Sequence, residues 1–494
     1  MEKGWGWPIR LLGLALLLPI LYMIFCTNHP CGRLGYAFQW FTMLTGYQDQ
    51  HFSSLGEDMR KCLWTSGMVR NMPLNRMSYF YAARTMFMEV QSRYSRIWQD
   101  ASSYWLEQEA AYFLGVPKLQ YVSTGTAALV VAAQTLGIGP GDEVIVPTYT
   151  WLATAAAMTT CGAIPVIADI DETLGMSPQS LLKAITNRTK AIIVVHMRGV
   201  PANVLEIKKI ADEKGLLLIE DCAQAFGASI HGKKVGTFGV MGITSVNPSK
   251  IFQAGGQGGL VWVATPNEYL EERLAWAVEN GVAAWGGLSL IPSYKRSFKD
   301  KAVGNQVTEL PFFSNCFRSP SEWHASFLRH ELTQLPESAA WLVELKQAFV
   351  NRIDPRFRGV LQKVQDPNGD RSYTVTLLLW SQDHVEGLSG YLESQGVTAD
   401  TTFWKGHYLP HVNSLMQKVS FHSSGFPWTR EEDKTPMELA QFEVSNAIMW
   451  RTLTIPLSWY FTKGMMEFAA DKVNDFLAYA GDNDYCNLTK KVTV

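Results

Sequence analysis

Between residues 100 and 270 the chain alternates short apolar runs with helical segments, and this alternation constrains its fold more than any other feature. The runs are continuous rather than interrupted by polar residues, which is typical of strands that are buried on both faces. The predicted strands are Glu143–Val146, Ile164–Ala168, Ala191–Val195, Leu216–Ile219, Gly242–Val246 and Leu260–Val263. Ser177 before Pro178 predicts the start of one helix. Another is predicted to begin at Asn203 and to end at Gly215. The sequence therefore predicts an α/β fold with a mostly parallel sheet covered by helices.

The pattern changes after residue 280. Residues 280–320 are rich in loop signals, and a helix is predicted from Ser321 to Phe349. Arg371–Trp380 then alternates like a strand, which indicates a separate and smaller α+β unit. The predicted divisions are a membrane anchor over residues 9–26, a helical extension of unknown role over 27–95, a large domain over 96–345 and a small C-terminal domain over 346–494.

Composition excludes several classes of function. The 494 residues include 43 basic and 45 acidic residues, so the formal net charge is −2. Without a basic stripe, a chain of this charge is not expected to bind nucleic acid. Seven cysteines in so long a chain do not form a disulfide framework, and we expect no metal site.

Three motifs follow one another along the predicted sheet. Ser123–Thr126 opens an alanine-rich helix, where backbone N–H groups and hydroxyls form an anion site. Asp221 follows the strand Leu216–Ile219, at the edge where open α/β sheets bind ligands. Lys250 precedes the glycine-rich run Gly255–Gly259. An anion-binding turn, an acid at a strand end and a lysine that can form a Schiff base are the three parts that pyridoxal phosphate (PLP) requires.

Each motif also has a simpler interpretation when it is taken alone. The turn Ser123–Thr126 and the carboxylate of Asp221 can both be ordinary helix caps. Most lysines are solvated surface charges, although Ile251 and Phe252, which follow Lys250, are not typical of a solvated run. The order of the three motifs together favours the cofactor site.

Four further residues are candidates for the same site. Trp151 follows a strand and can stack on a flat cofactor ring, but it can also be a core aromatic. Gln224 can donate to a ring hydroxyl or cover the next helix. Ser245 is a second candidate for the phosphate, whereas His196 is expected to be a satisfied core histidine.

Several segments resemble a known family, the DegT/DnrJ/EryC1/StrS aminotransferases. These are PLP-dependent enzymes of fold type I, and many act on keto sugars or cyclitols. The similar segments are Thr124–Leu129, Gly139–Pro147, Ile219–Ala225, Ser245–Lys250 and, in the small domain, His407–Pro410. The resemblance is close over residues 100–275 and looser elsewhere. It implies a seven-stranded, mostly parallel sheet sandwiched by helices, and a homodimer with shared active sites.

The resemblance also implies a role for each candidate residue. Lys250 is implied to be the Schiff-base lysine, and Asp221 the partner of the pyridine nitrogen. The implied cofactor contacts are Gly125, Thr126 and Ser245 at the phosphate, Trp151 on the ring and Gln224 near the ring hydroxyl. The family's Asn-x-Arg motif, which reaches the partner subunit's site, is represented by Asn315–Arg318, one residue longer, and Asn315 is taken as the contact.

The predicted reaction is transamination. An amino-acid donor, glutamate or glutamine, would supply the amino group, and a keto or aldehyde acceptor (a sugar, cyclitol or natural-product intermediate) would receive it. Dehydrating members of the family can carry histidine in place of the lysine, so Lys250 favours transamination. The alternatives are another PLP-dependent reaction (dehydration, β-substitution or cyclisation) in secondary metabolism, or a membrane-tethered pseudoenzyme.

The segment Leu11–Cys26 is apolar and uncharged, which predicts a membrane anchor. A spanning helix needs about 20 apolar residues, with a lower limit of about 17, so the segment is slightly short without its flanks. A secretory signal is the alternative, but bulky Ile24–Asn28 offers no small-residue cleavage site. We therefore expect an uncleaved, single-pass N-terminal anchor.

The orientation of this anchor depends on two opposing arguments. Lys3 and Arg10 precede the segment, and Arg33 is the nearest basic residue after it, a bias that places the catalytic part in the lumen. Free thiols and a cytosolic cofactor favour the opposite arrangement. We expect an enzyme on the endoplasmic reticulum membrane whose catalytic domain faces the cytosol.

Overall fold

The computed structural model describes residues 102–253, 255–283, 302–303, 306–307, 317, 321–401, 406–420, 422–459 and 461–482. The predicted anchor, the predicted extension over residues 27–95 and Asn315 lie outside these ranges. Within them, no helix has both the length and the apolar character that a membrane crossing requires.

A seven-stranded sheet forms the centre of the large unit. Its strands are β1 (Lys118–Val122), β2 (Glu143–Pro147), β3 (Ile164–Ala168), β4 (Thr189–Val195), β5 (Leu217–Asp221), β6 (Met241–Ser245) and β7 (Gly259–Val263). They lie in the order β1-β7-β6-β5-β4-β2-β3, and β7 alone runs against the others in this sheet. The mostly parallel sheet is therefore confirmed.

The six predicted strands are all present in this sheet, and the seventh strand of the sheet was not predicted. Ile164–Ala168 has the predicted ends, and the ends of the other five differ from the prediction by at most two residues. The most consequential shift is at β5, which continues past Ile219 because Glu220 and Asp221 pair with residues of both β4 and β6. The missed strand, β1, alternates polar and apolar residues, so it lacks the continuous apolar run that marks the others.

Helices cover both faces of this sheet and continue into the C-terminal part. They are α1 (Ser102–Leu114), α2 (Gly125–Thr135), α3 (Ala153–Thr160), α4 (Pro178–Ala184), α5 (Val204–Lys214), α6 (Glu268–Ala283), α7 (Glu322–Arg352), α8 (Gln382–Ser394), α9 (Asn413–Met416), α10 (Glu443–Met449) and α11 (Lys463–Asp482). Ser177 caps α4 through the N–H of Ser180, as predicted. Gly215 ends α5 with a φ of 65°, whereas Asn203 precedes that helix without a side-chain cap bond.

The long helix α7 connects the large unit to the C-terminal part. Ser321 caps its start, as the sequence predicts, and its buried side chains join a core that extends from Leu106 on α1 to Leu477 on α11. The domain boundary predicted after residue 345 falls inside this helix, and the division into domains stays a prediction. The C-terminal part contains the antiparallel pair β8 (Thr374–Leu378) and β9 (Thr452–Pro456), which shortens the strand predicted over Arg371–Trp380.

Candidate active site

A cavity of about 570 Å³ lies at the carboxyl ends of the parallel strands, between the large unit and the C-terminal part. Parallel strands bring their carboxyl ends to the same edge of a sheet, so residues far apart in sequence meet there. The predicted site residues that line this cavity are Gly125, Thr126, Trp151, Asp221, Gln224, Ser245 and Lys250. Asn315 lies outside the described residues, but Phe317 of the same motif accepts a 2.8 Å hydrogen bond from the N–H of Ser123.

Lys250 reaches the cavity from the turn that follows β6. Its N–H donates to the carbonyl oxygen of Asn247 at 3.0 Å, and the following residues Ile251 and Phe252 are buried. Pro248 and Ser249 in the turn are exposed, and the residues after Lys250 anchor the turn to the core. Burial lowers the pKa of the Lys250 ammonium, and the charge of Asp221 opposes that shift. A larger fraction of neutral amine follows at a given pH, which is the form that attacks a carbonyl carbon.

The carboxylate of Asp221 is buried at the last residue of β5. It accepts hydrogen bonds from the N–H of Ala223 at 2.9 Å and from the hydroxyl of Thr154 at 3.3 Å. Burial raises the pKa of Asp221, while the Ala223 N–H, the charge of Lys250 and other neighbours oppose that effect. No helix begins directly after Asp221, because the chain continues in turns to Gly227, so the helix-cap interpretation is wrong here.

The neighbouring residue Glu220 fixes the end of β5 in place. Its carboxylate accepts the N–H groups of Gly236, Phe238 and Gly239 at 2.6–2.7 Å. His196 accepts the N–H of Ala202 on Nδ1 at 3.0 Å, so Nε2 carries the hydrogen and donates it to Oε2 of Glu220, with 3.2 Å between Nε2 and Oε2. His196 is therefore a buried, satisfied histidine that supports the strand next to the site.

The turn before α2 is pressed against the end of β6. Thr124 caps α2 by accepting the N–H of Ala127 at 2.9 Å, so the cap interpretation is correct for this residue. A Cβ on Gly125 would lie only 2.6 Å from the Cβ of Ser245. The absence of that Cβ lets the first N–H groups of the helix and the Ser245 hydroxyl face one anion-sized space.

Trp151 lies at the mouth of the cavity and not in the core. Its side chain is 48% exposed, so the core interpretation of this residue is wrong. The centroid of its ring lies 5.2 Å from that of His407, with the planes inclined by 54°. His407 is held there by backbone pairing, since its carbonyl oxygen accepts the N–H of Thr150 at 2.8 Å.

Gln224 is oriented by two hydrogen bonds to its side-chain oxygen. That oxygen accepts the N–H of Arg198 at 3.0 Å and the hydroxyl of Tyr373 at 2.7 Å. A backbone N–H can only donate, so the side-chain amide is fixed in one orientation. Its NH₂ group is therefore the end that can donate, and Gln224 lines the cavity.

The comparison with protein families identifies this arrangement. Residues 95–463, about three quarters of the chain, match the model of the DegT/DnrJ/EryC1/StrS aminotransferase family. The chain belongs to this family. It is a PLP-dependent aminotransferase, as the order of its motifs predicted.

Individual relatives agree with the family assignment. The GDP-perosamine synthase of Vibrio cholerae is 32% identical over 324 residues, which cover 64% of this chain and 80% of that protein. The L-glutamine:2-deoxy-scyllo-inosose aminotransferase of Streptoalloteichus tenebrarius is 41% identical over 320 residues, which cover 63% and 71%. An aminotransferase structure from Psychrobacter cryohalolentis superposes with a TM-score of 0.64 at 25% identity, and covers 82% of this chain and 98% of its own.

The residues of this aminotransferase fit PLP. Gly125, Thr126 and Ser245 line the cavity at the start of α2, which suits a phosphate. The buried carboxylate of Asp221 suits a protonated ring nitrogen, which would supply the counter-charge that burial of an acid requires. Lys250 lines the same cavity and suits the aldehyde carbon.

The sequence did not point to four of the groups that surround this site. Thr154 reaches Asp221 from α3, and Arg198 lines the cavity from the turn after β4. Arg198 follows the end of β4 by three residues, a position that does not by itself distinguish a cavity residue from a surface residue. Tyr373 and Asp400 come from the C-terminal part, and only the tertiary structure brings them to the cavity.

Proposed function

We propose that this aminotransferase moves the amino group of glutamine or glutamate to the carbonyl carbon of a polyhydroxylated acceptor, a keto cyclitol or keto sugar. The observation that carries the proposal is the meeting of Lys250, Asp221 and the start of α2 in one cavity. The relatives support this acceptor class, because their names describe a perosamine synthase and a scyllo-inosose aminotransferase that uses glutamine.

The polar residues of the cavity also support a hydroxylated acceptor. The C-terminal part contributes Asp400, His407, Thr374 and Thr454 to the lining. The Thr454 hydroxyl donates to the carbonyl oxygen of Asp400 at 3.0 Å, and the N–H of Asp400 pairs with the carbonyl oxygen of Thr454 at 2.7 Å. This pairing holds a carboxylate at the wall opposite the sheet, where it can accept hydrogen bonds from sugar-like hydroxyls.

The chain's own residues would carry the proton transfers. Bound PLP supplies a carbonyl carbon for the donor amine and a ring that withdraws electrons from the donor's α-carbon. Asp221 holds the proton on the ring nitrogen, since its buried carboxylate is stabilised by a cation. Nζ of Lys250, with its lowered pKa, would accept the proton from the α-carbon of the donor and deliver it to the former aldehyde carbon of the cofactor in the same half-reaction. In the second half it would move a proton in the opposite direction, to the acceptor carbon that receives the amino group.

The test is an acceptor panel assayed with glutamine and with glutamate. Keto cyclitols and nucleotide-linked keto sugars are compared, and the keto acid released from the donor is measured together with the aminated product. Equal amounts of both are expected for at least one acceptor. Conversion of an acceptor without release of keto acid would contradict transamination and favour another PLP-dependent reaction.

Substitution of Lys250 tests the catalytic assignment. Lys250→Ala is expected to lower turnover by about 10²–10⁴-fold, because the proton carrier is lost, and to remove the visible absorbance of the bound cofactor. Lys209→Ala is the matched control, since the Lys209 side chain is 75% exposed on α5. Retention of both absorbance and turnover in Lys250→Ala would refute the assignment.

We also propose that the enzyme is a homodimer and that residues 9–26 anchor it in the endoplasmic reticulum membrane, with the catalytic domain facing the cytosol. The family resemblance and the exposed Trp151 and Leu152 at the cavity mouth support the dimer. The uncharged segment Leu11–Cys26 supports the anchor. Light scattering measures the molar mass and so tests the homodimer. Alkaline extraction of isolated microsomes tests the membrane anchor, and protease protection tests which side of the membrane the catalytic domain faces.

A further inference from the structure

The hydroxyl of Thr154 makes an unusual contact for a threonine in a helix. Thr159 and Thr160, which lie in the same helix α3, donate to the carbonyl oxygen of Ala156 at 2.9 Å. A helical threonine commonly makes this bond to its own backbone. Thr154 donates instead to Oδ2 of Asp221 at 3.3 Å. A fully buried side chain is therefore turned away from its own helix and toward an acid at the end of β5.

Thr150 fixes the direction of this hydrogen bond. The hydroxyl oxygens of Thr150 and Thr154 lie 2.8 Å apart. A hydroxyl has one hydrogen to donate, and that of Thr154 is directed to Asp221, so Thr150 is the donor of the pair. The backbone N–H of Thr150 donates to the carbonyl oxygen of His407 at 2.8 Å, so the C-terminal part holds Thr150 in place. Donation therefore runs from Thr150 to Thr154 and from Thr154 to Asp221.

The carboxylate of Asp221 needs such contacts to keep one orientation. The terminal torsion of an aspartate is broad and roughly twofold, so the rotamer alone does not set the plane of the carboxylate. Here Oδ1 accepts the N–H of Ala223 at 2.9 Å, and Oδ2 accepts the hydroxyl of Thr154. Burial raises the pKa of Asp221, while these two hydrogen bonds and the charges of Lys250 and His196 oppose that effect. One donor on each oxygen thus fixes the plane and favours the ionised form.

We propose that Thr154, oriented by Thr150, positions the carboxylate of Asp221 for the ring nitrogen of PLP, an inference that rests on the role proposed above for Asp221. An N–H donor prefers to lie near the plane of the oxygen that accepts it, so a carboxylate that rotates pairs less well. Thr154 is uncharged and leaves the negative charge of Asp221 to the proton on the ring nitrogen. It is a positioning residue, because it acts on the cofactor through Asp221.

The experiment measures the dissociation constant of PLP by equilibrium dialysis with the apoenzyme. The comparison ligand is 1-deaza-PLP, in which a C–H group replaces the ring nitrogen and cannot form the ionic pair. Thr154→Val removes the hydroxyl and keeps a branched side chain, whereas Thr154→Ser keeps the hydroxyl. Thr135→Val is the matched control, because Thr135 is also fully buried in a helix but donates to the carbonyl oxygen of Val131 at 2.7 Å.

In Thr154→Val, the dissociation constant should rise about 3–10-fold for PLP and less than about twofold for 1-deaza-PLP, as expected for the loss of one hydrogen bond. Thr154→Ser and Thr135→Val should stay within about twofold of wild type for both ligands. Thr150→Val should cause a smaller loss than Thr154→Val, because Thr154 keeps its hydrogen but loses the donor that orients it. In an Asp221→Ala background, Thr154→Val should cause no further loss.

Four results would overturn the proposal. Unchanged PLP binding in Thr154→Val would remove the residue from the site's function, and equal losses of the two ligands would make its role structural. A Thr154→Ser variant as weak as Thr154→Val would assign the effect to packing. A further loss in the Asp221→Ala background would mean that Thr154 does not act through Asp221. If Asp221→Ala itself weakens both ligands equally, the role proposed for Asp221 is contradicted, and the role of Thr154 with it.

Discussion

Gly125 shows how closely one residue controls the site. It begins α2, and the space where its Cβ would lie is bordered by the Cβ, Oγ and Cα of Ser245 at 2.6, 3.1 and 3.2 Å. The Ser245 backbone belongs to β6 and cannot move without disturbing the sheet. Glycine is therefore required here because the start of a helix and the end of a strand come together at the cavity.

The variant Gly125→Ala is expected to weaken cofactor binding and to lower the free energy of unfolding by about 1–3 kcal/mol, because the new methyl group overlaps Ser245. The measurements are equilibrium dialysis of PLP and denaturant unfolding of the apoenzyme. In the control Gly139→Ala, the added Cβ would come no closer than 3.8 Å to the carbonyl oxygen of Cys161, so both quantities should stay close to wild type. Equal behaviour of the two variants would contradict the steric argument.

At the scale of single residues, the sequence predicted which residues form the site better than it predicted their contacts. The order of the turn, the acid and the lysine was sufficient to place Gly125, Asp221 and Lys250 in one site. It did not reveal Arg198, because a single arginine after a strand has no sequence signature that separates a cavity cation from a surface one. Its burial exists only in the folded chain.

Strand β5 is the element that positions Asp221, the proposed partner of the cofactor's ring nitrogen, at the cavity. The apolar run stops at Ile219, but pairing with β4 and β6 extends the strand through Glu220 and Asp221. Glu220 then satisfies three backbone N–H groups of the loop before β6. The end of β5 is held in place because the buried carboxylate of Glu220 accepts these three N–H groups, which would otherwise have to bind water.

We expect Glu220→Gln to lower the free energy of unfolding by about 2–4 kcal/mol. Oε1 accepts two backbone N–H groups, while Oε2 accepts one and faces the Nε2 hydrogen of His196. An NH₂ group in place of either carboxylate oxygen would face two N–H donors, and it cannot accept a hydrogen bond from either of them. Denaturant unfolding measures the loss, and the exposed Glu213→Gln on α5 should change stability by less than about 0.5 kcal/mol. A Glu220→Gln protein as stable as wild type would show that the loop is satisfied in another way.

On the scale of the whole molecule, the cavity exists because the large unit and the C-terminal part each form part of its wall. His407 and Leu409 pair with Thr150 and Thr148 after β2, so the C-terminal part closes over the edge of the sheet. The buried cluster that runs from α1 through α7 to α11 joins the units through one core. Residues of the C-terminal part that line the cavity are therefore held by the same packing that stabilises the fold.

The stability of the molecule should fall above pH 9 through its buried thiols. Burial, with the charges of Glu220 and Asp221, raises the pKa of Cys222 well above its usual value of 9.0. The unfolded chain then loses this proton before the folded one does, so the contribution is complete below pH 9 and is lost as the pH rises through the folded pKa. Burial likewise raises the pKa of Cys161 to about 11.

Thermal unfolding of the apoenzyme between pH 7.5 and 10.5 measures this effect. Cys222→Ala should be less stable than wild type at pH 7.5, because it leaves a small cavity, but the difference should shrink as the pH rises above 9. A difference that is constant across the range would contradict a role for thiol ionisation.

The sequence by itself determined the layered α/β architecture, the PLP chemistry and the core set of Lys250, Asp221 and the α2 turn. It could do so because continuous apolar runs, helix caps and strand-end polar residues are local patterns. Only the tertiary structure decided the reversed strand β7, the exposure of Trp151, the orientation of Gln224 and the place of Arg198. Each of these depends on contacts between residues far apart in the chain, and such contacts leave no mark on local sequence.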